Sequence, residues 1–437
     1  MKRYCLLIGI CALLLILAAC GTEKPVLLLD QDNNEIAVYD GAVTVKEEAC
    51  SAYANYALRE AASRIAALKG GSEEKALAYL RKKGARIHTA ADTALIECAG
   101  QNGAAILADG APFAMAVTDG EARLTAIYST SGEITPTYAG STIKPLSVYA
   151  PCIDSGIMHF SSLQPDLPVK TVQTTAGEAQ WPVNGSGVYS EKEIPAGEAL
   201  AKSINTIAVR WLMEYGVTEA MDFLENGFGL DLSRERQIVS QLSEEEVYGN
   251  LALGYLQSGV TVCDMAGYYR IFADGGRYTP VSAVVSIVSD TGELLYESEP
   301  APRQVISEAS AWIMNRMLKG VLDYGTGTAA HIEGVDIVGK TGTSDNYEDN
   351  WFVGVTPVNT VAVWHGAAAE PANRAAAMFC AFYQVSGLDY SQTFTPCEQV
   401  TRKSYCAETG MLADGNCPVL GMGYYQEDRL PGVCSAH

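Results

Sequence analysis

The chain has 437 residues, of which 48% are hydrophobic and 19% are charged, enough for one large domain with appendages or for two to three ordinary domains. Its 30 Lys+Arg and 51 Asp+Glu give a formal net charge of −21, which argues against nucleic acid as a partner because that affinity depends on basic contacts to phosphate. The length excludes a small scaffold held together by disulfides, and any anionic substrate must meet a local positive site.

The first 19 residues are predicted to be a secretory signal peptide. Lys2 and Arg3 precede an apolar run from Leu6 to Ala19, which is shorter than the roughly 20 residues that span a bilayer. The run ends in Leu-Ala-Ala-Cys20, which resembles a bacterial lipobox and makes Cys20 the predicted lipidation site. An ordinary signal peptide or an uncleaved anchor that contains a cysteine is the alternative. We therefore expect an extracytoplasmic protein that is lipid-anchored to the bacterial cell membrane.

Residues 20–105 are predicted to form a lead-in made of a hairpin and helices. The segment 26–39 alternates around a turn, which indicates a short hairpin. Helical patterns follow at residues 47–68, at residues 73–83, where Ser72 is a suitable cap, and at residues 92–99.

Residues 106–385 are predicted to form the main domain, with an α+β fold. Turn sequences flanked by strand-like segments predict three hairpins, at 113–117 with 124–128, 284–288 with 293–296, and 351–355 with 360–364. Helical segments are predicted between them, at 196–228, 245–272 and 307–321. Strands near both ends and helices in the middle predict an antiparallel sheet covered by helices.

The last predicted segment, residues 386–437, is a Cys-rich tail. Nine cysteines remain once Cys5, Cys11 and Cys20 are set aside, and four of the nine lie in the last 41 residues. The odd number leaves at least one thiol unpaired within a monomer, and the disulfide pairing stays open. Zinc is the competing interpretation. No C-x-x-C pair and no close histidine partner supports it, so no metal is predicted.

The first chemical motif is the S-x-x-K sequence of Ser141 and Lys144. Residues three apart on a helix share a face, so the Lys144 amine can reach the Ser141 hydroxyl. A serine alone is a poor nucleophile, and a neighbouring amine of lowered pKa can accept its proton. In isolation, however, a capping serine followed by a surface lysine explains the motif better.

Two further motifs follow in the chain. S-x-N occurs at Ser203 and Asn205, and K-T-G-T occupies residues 340–343 after a short apolar stretch. Serine and asparagine are common in caps and turns, and K-T-G-T alone fits an exposed strand end. The order and spacing decide between these interpretations, because serine penicillin-recognising enzymes carry the three motifs in this order.

With these motifs the chain resembles the transpeptidase domain of penicillin-binding proteins, specifically of the class A type. Similarity extends from about residue 84 to residue 437, with further matching segments at 84–89, 259–276, 325–327, 349–354 and in the tail. The resemblance implies a fold like that of penicillin-binding proteins and serine β-lactamases. Three features depart from the family. The stretch from Cys20 to Gly84 is too short for a glycosyltransferase domain, a lipobox replaces the membrane-spanning anchor, and Ile143 stands where an aromatic residue is common.

The resemblance implies a role for each motif residue in acyl transfer. Ser141 attacks the carbonyl of the penultimate D-Ala in a peptidoglycan stem peptide that ends in D-Ala-D-Ala, Lys144 is the base, and Ser203 relays the proton to the leaving nitrogen. The oxyanion lies between the backbone N–H groups of Ser141 and Thr343. Lys340 is implied to lower the pKa of Lys144 and, with Thr341 and Thr343, to bind the terminal carboxylate. Asn205 is implied to hold the substrate amide. Gly342 leaves room for the substrate backbone.

The implied function is that of a D,D-transpeptidase that cross-links stem peptides, is inhibited by β-lactams and needs no cofactor. Its expected partners are stem peptides, β-lactams, the membrane through the lipid anchor, and a separate glycosyltransferase. A D,D-carboxypeptidase, in which water is the acceptor, stays open. So does a serine β-lactamase, although no E-x-x-L-N-type loop lies between Asn205 and Lys340. The alternative from another class is a non-catalytic lipoprotein that senses β-lactams or acts as a wall scaffold.

Overall fold

The computed structural model describes residues 23–175 and 177–437, so the predicted signal peptide and Cys20 lie outside the described residues. The helices are α1 Ser51–Lys69, α2 Glu73–Lys83, α3 Thr93–Ile106, α4 Ala150–Ser155, α5 Ala196–Ala201, α6 Asn205–Tyr215, α7 Val217–Phe228, α8 Ser233–Ile238, α9 Glu244–Tyr248, α10 Val262–Tyr269, α11 Glu308–Asp323 and α12 Ala375–Val385. Within the described ranges, none of the helices is both long and apolar enough to cross a bilayer.

The strands belong to two larger sheets and four short pairings. They are β1 Val26–Leu29, β2 Glu35–Tyr39, β3 Val43–Val45, β4 Arg86–Thr89, β5 Phe113–Thr118, β6 Leu124–Ser129, β7 Leu163–Pro165, β8 Lys170–Thr174, β9 Gly177–Trp181, β10 Glu193–Pro195, β11 Arg277–Tyr278, β12 Val284–Val288, β13 Leu294–Glu297, β14 Arg303–Gln304, β15 Val338–Thr343, β16 Asn350–Val355, β17 Thr360–His365, β18 Val400–Cys406 and β19 Leu420–Gln426.

The chain divides into two compact units, and the smaller one combines residues 23–92 with Ser282–Glu299. Its sheet has the order β13-β12-β4-β1-β2-β3, with β1 and β4 parallel. The predicted hairpin near residue 290 thus pairs with N-terminal strands, with Ile287 opposite Ile87. The carboxylate of Glu60 on α1 accepts the N–H of Ala283 at 2.8 Å and orients the start of β12. Pairing between strands so distant in sequence has no local signal.

The larger unit, Thr93–Val281 with Pro300–His437, is built around a five-stranded antiparallel sheet of order β15-β16-β17-β5-β6. All six residues of β5 and all six of β16 are buried. Since successive side chains of a strand point to opposite faces, both faces of these strands are covered. Helices α3, α10, α11 and α12 contact the sheet. The predicted α+β architecture, an antiparallel sheet covered by helices, is confirmed. Helix α3 packs against β6, so this unit begins at Thr93, whereas the sequence analysis placed the boundary after residue 105.

The two long helices predicted at 196–228 and 245–272 are wrong as continuous elements. The first is divided into α5, α6 and α7 by a turn at residues 202–204 and by Gly216, whose φ is 107°. The second is interrupted at Gly254, which has a φ of 90° and follows a π-helical turn. Helix α10 then starts at a new capping box, in which Thr261 and Asp264 bond to each other's backbone N–H groups. The first of these interruptions creates part of the candidate site.

Candidate active site

Ser141 lies on a short 3₁₀ turn, Gly140–Ile143, at the start of a helical segment. The N–H of Lys144 donates to the carbonyl of Ser141, so the two residues occupy successive turns. In a 3₁₀ turn residues three apart are eclipsed, which places both side chains on one side as the S-x-x-K spacing predicts. A π-helical turn of five residues, Pro145–Tyr149, follows. Ser141 is partly exposed, whereas every residue from Thr142 to Ala150 is buried.

The serine turn lies directly against the K-T-G-T strand. Gly140 has a φ of 51°, and a Cβ added there would lie 2.9 Å from the backbone N of Thr343. A Cβ at Gly342 would in turn lie 2.6 Å from the carbonyl oxygen of Ala139. Glycine is therefore required on both sides of this contact. The close approach brings the backbone N–H of Thr343 beside the turn that carries Ser141.

Lys144 is fully buried, and its Nζ lies within hydrogen-bonding distance of three oxygen atoms. These are the Asn205 Oδ1 at 2.6 Å, the Ser203 carbonyl at 2.8 Å and the Ser203 Oγ at 3.3 Å. Burial and the nearby charge of Lys340 together hold the pKa of Lys144 well below its ordinary value. Among the described residues, no side chain hydrogen-bonds to the Ser141 hydroxyl, which leaves that hydroxyl available to the cleft.

Ser203 lies in the turn between α5 and α6 with a φ of 58°, a left-handed conformation that is unusual for a residue other than glycine. Strained backbone of this kind concentrates at functional sites. The Ser203 N–H donates to the Leu200 carbonyl, which closes the turn. Asn205 is the first residue of α6, and its Nδ2 donates to the Val183 carbonyl at 2.6 Å. That bond fixes the amide so that its oxygen faces Lys144.

Lys340, on the edge strand β15, also contacts Ser203. Its Nζ donates to the Ser203 Oγ at 2.9 Å and to the Thr341 carbonyl at 3.0 Å. Burial lowers the pKa of Lys340 to about 7. The hydroxyl of Ser203 therefore lies between two buried amines, those of Lys144 and Lys340.

The remaining K-T-G-T side chains are held by residues that lie outside the three motifs. The Thr341 hydroxyl is 2.5 Å from the hydroxyl of Thr326, and the Thr343 hydroxyl accepts a hydrogen bond from Asn373 at 3.0 Å. The same Asn373 amide donates to the Gly342 carbonyl at 2.7 Å. The structure thus gathers all eight predicted site residues of the larger unit, from Ser141 to Thr343, around one cleft. The predicted lipidation site, Cys20, is outside the described residues.

A buried carboxylate supports the S-x-N turn from behind. Asp166, which is 3% exposed, accepts hydrogen bonds from Asn184 Nδ2 and from the Thr206 hydroxyl, both at 2.7 Å. Asn184 Oδ1 in turn accepts the N–H of Asn205 at 3.0 Å. Burial alone would raise the pKa of Asp166, but these hydrogen bonds and that from Ser190 outweigh burial and lower it. Asp166 and Asn184 could not be found from local patterns, because they are isolated polar residues outside any motif.

We expect Asp166→Asn to slow acylation of Ser141 about tenfold. The asparagine side chain at position 166 has one acceptor oxygen fewer than the carboxylate, so it holds the start of α6 less firmly. The measurement is the rate constant of acylation by a β-lactam, separated from the dissociation constant of the preceding complex. A positioning role predicts a change in the rate constant with little change in binding. Asp231→Asn is the control, since Asp231 is an exposed carboxylate that caps Ser233. Equal losses in both variants would contradict the role of Asp166.

The chain is similar in sequence to known proteins. A family profile described as the penicillin binding protein transpeptidase domain matches residues 102–377. Penicillin-binding protein 1A of Clostridium botulinum is 32% identical over 232 residues, which cover 52% of this chain and 27% of that protein. Penicillin-binding protein 1A of Clostridium tetani is 30% identical over 320 residues, which cover 68% of this chain and 40% of that protein. The chain thus matches less than half the length of these relatives.

Solved structures show the same fold at lower identity. The D,D-transpeptidase domain of a peptidoglycan glycosyltransferase from Eggerthella lenta superposes with a TM-score of 0.60 at 19% identity, covering 83% of this chain and 97% of that domain. Penicillin-binding protein A of M. tuberculosis, in an imipenem acyl-enzyme complex, gives a TM-score of 0.62 at 16% identity, covering 84% of this chain and 99% of that one. On the family match and this fold, the chain belongs to the penicillin-binding protein transpeptidase family.

Proposed function

We propose that this protein is a D,D-transpeptidase that cross-links peptidoglycan stem peptides through an acyl-enzyme on Ser141. The observation that carries the proposal is the buried Lys144 amine, held by Ser203 and Asn205 one turn away from the partly exposed Ser141 hydroxyl. A lysine of lowered pKa beside a serine is a suitable general base, since the lowered pKa favours the neutral amine that accepts the serine proton.

The hydrogen bonds of Lys144 fit a neutral amine that acts as this base. A neutral amine has two N–H groups and one lone pair. The two shortest contacts of Nζ are to oxygens that act only as acceptors, the Ser203 carbonyl and the Asn205 Oδ1, so they take both N–H groups. The lone pair is then left for a hydroxyl proton. In the proposed step the Ser141 Oγ forms a bond to the substrate carbonyl carbon as its proton passes to Lys144.

Ser203 is proposed to return the proton to the leaving group. Its Oγ is in contact with the Nζ atoms of both Lys144 and Lys340. The C–N bond to the terminal D-Ala breaks while the proton moves from Lys144 through the Ser203 hydroxyl to the leaving nitrogen. Lys340 donates to Ser203 throughout. A substrate carboxylate bound at Lys340 and the threonine hydroxyls favours the charged form of this lysine.

The oxyanion is proposed to lie between the backbone N–H groups of Ser141 and Thr343. The support for this placement is the contact between Gly140 and Thr343, which no larger residue at position 140 would permit. Removal of one donor from such a site typically costs on the order of 10²–10³ in rate.

Inhibition by β-lactams follows from the same proposal. Penicillin-binding protein A of M. tuberculosis forms an acyl-enzyme with imipenem, and it shares the fold of this chain. Opening of the lactam ring by Ser141 would leave an ester analogous to the peptide intermediate. The amine that ring opening releases stays covalently attached to the acyl group, so it does not leave and it blocks access of an acceptor to the ester.

A partition experiment identifies whether an amine or water accepts the acyl group. The protein is incubated with a donor peptide ending in D-Ala-D-Ala, with and without an acceptor stem peptide that carries a free side-chain amine, and the products are separated by mass spectrometry. A transpeptidase forms the cross-linked peptide and releases one D-Ala per cross-link. Exclusive hydrolysis of the donor would favour the carboxypeptidase, and rapid turnover of benzylpenicillin would favour the β-lactamase.

We propose that the protein acts at the outer face of the bacterial cell membrane, where lipid on Cys20 anchors the chain. Stem peptides of the cell wall are exported, so an enzyme that cross-links them must be exported as well. The support is the basic start, apolar run and cysteine of residues 1–20. A separate glycosyltransferase is proposed to supply the glycan strands that carry these stem peptides.

A further inference from the structure

Three cysteines and a histidine of the tail converge although they are distant in sequence. Cys406 ends β18, Cys417 lies in the following loop, and Cys434 and His437 are in the last four residues. The three cysteines form a buried cluster. Cys406 Sγ lies 3.5 Å from His437 Nε2, and the ligand atoms of Cys406, Cys434 and His437 all lie within 4.8 Å of one another. This corrects the sequence analysis, which found no close histidine partner for the cysteines.

Backbone hydrogen bonds fix the two segments that carry these side chains. The N–H of Cys434 donates to the Leu412 carbonyl at 2.7 Å, and the N–H of Leu412 donates to the Gly432 carbonyl at 2.9 Å. The N–H of Cys406 donates to the Met411 carbonyl at 2.8 Å. The turn after β18 therefore presents Cys406 to the final segment.

We propose that this cluster is a structural zinc site, with Cys406, Cys434 and His437 as ligands and Cys417 as the fourth. A Cys₃His set is one of the common closed, tetrahedral arrangements for Zn²⁺. With Zn–S and Zn–N bonds of about 2.3 and 2.05 Å, a tetrahedral sulfur and nitrogen lie about 3.6 Å apart. The separation of 3.5 Å between Cys406 Sγ and His437 Nε2 fits this edge. Cys417 belongs to the same buried cluster, and its Sγ donates to Asp414 Oδ1 at 3.3 Å, a contact that it would exchange for the metal.

A disulfide explains this cluster less completely. Cys406, Cys417 and Cys434 are all free thiols in the structure, and one disulfide would use only two of them. The third sulfur would stay outside that bridge, and the imidazole would keep its contact with Glu408. Zinc uses all four groups. Three thiols lose their protons on binding and the imidazole stays neutral, so the bound site carries a net charge of −1.

Polar neighbours of the sulfurs suit a metal centre. The Thr409 hydroxyl donates to Cys434 Sγ at 3.4 Å, a contact of the kind that orients a thiolate ligand. Glu408 Oε2 lies 3.4 Å from His437 Nε2, so a histidine–carboxylate ion pair is the competing use of His437. Zinc would replace that contact because both require the same nitrogen.

The proposed zinc would hold the tail in its folded form against the rest of the larger unit. The Ser161 hydroxyl donates to the Gly410 carbonyl at 2.6 Å, and the Tyr425 hydroxyl donates to Ser161 Oγ at 2.8 Å. Gln426 bonds to Ser310 on α11. These contacts involve the same turn and hairpin that the metal would join to the final segment.

The test measures metal content and does not depend on catalytic activity. The full chain is purified under reducing conditions, incubated with ZnSO₄, dialysed, and analysed by elemental mass spectrometry. We expect one zinc per wild-type chain, loss of that zinc in Cys434→Ser and His437→Ala, and retention in the controls Cys380→Ser and Glu408→Gln. His437 is exposed, so its replacement should leave the fold intact. Titration with Co²⁺ should give a thiolate-to-metal charge-transfer band in the wild type and in both controls, but not in the two ligand variants.

Several results would overturn the proposal. They are absence of zinc from folded wild-type protein, retention of zinc in both ligand variants, or a disulfide between two of the three cysteines in protein recovered from the bacterial envelope. Loss of zinc in Glu408→Gln together with retention in His437→Ala would also contradict it, because the carboxylate would then be the ligand.

Discussion

Replacement of Ser141 by alanine is expected to abolish release of D-Ala from peptides that end in D-Ala-D-Ala, with a loss of at least about 10³-fold. Without the hydroxyl no acyl-enzyme forms, and Lys144 has no nucleophile to deprotonate. The measurement is D-Ala released per enzyme per minute at saturating donor peptide. Because Ser141 is partly exposed, the substitution leaves no large cavity and should not change thermal stability.

Ser131→Ala is the matched control for that loss, since Ser131 is an exposed serine on the turn after β6. It should retain wild-type turnover. If Ser141→Ala kept more than a small fraction of the activity while the control was normal, a different nucleophile would be at work and the assignment of Ser141 would be wrong.

The second large effect is expected for Lys144→Met, which preserves most of the side-chain volume but removes the amine. Loss of a general base costs about 10²–10⁴ in rate, and we expect acylation by benzylpenicillin to slow within this range. The Ser203 carbonyl and the Asn205 amide oxygen also lose a donor, so a decrease in thermal stability should accompany the loss. Acylation at the wild-type rate would exclude Lys144 as the base.

The pH dependence of acylation provides a further test of Lys144. The base must be neutral, and a neutral amine predominates above its pKa. Burial and Lys340 lower the pKa of Lys144 well below that of an ordinary lysine. The rate of acylation should therefore rise with pH in a range well below the pKa of an ordinary lysine and then level off. A rise only near pH 10 would contradict this, because it would indicate an unperturbed lysine.

Lys340→Met should move this profile. Lys340 is a nearby cation that disfavours the charged form of Lys144, so its removal raises the pKa of Lys144. The rising limb of the profile is therefore expected to shift to higher pH, measured as the acylation rate constant at saturating benzylpenicillin. A shift to lower pH, or no shift, would show that Lys340 does not act on Lys144 through its charge.

The sequence predicted the members of the cleft but not how they are held. Ser141, Lys144, Ser203 and Lys340 were identifiable because each lies in a short motif and the motifs occur in a fixed order. Asp166, Asn184 and Asn373 support the same cleft and lie in no motif, so only the three-dimensional contacts reveal them. Local patterns carry information about residues that are close in sequence, whereas these contacts join distant segments.

The same distinction explains the fold. The hairpins β5–β6 and β16–β17 were predicted within a residue or two, because turn residues and alternation are local signals. The turn at Ser203 was missed, since its left-handed backbone occurs at a residue other than glycine and no proline marks it. The tail shows the same limit. Its cysteine count was plain, but the approach of His437 to Cys406 depends on backbone pairing around Leu412.

The most direct test of the central claim is intact mass spectrometry of the soluble form, beginning after Cys20, incubated with benzylpenicillin and then digested for peptide mapping. We predict a stable adduct of one penicillin per chain, located on the peptide that contains Ser141. Absence of an adduct on folded protein, without hydrolysis of the drug, or an adduct on any other residue would contradict the proposed serine acyl-enzyme.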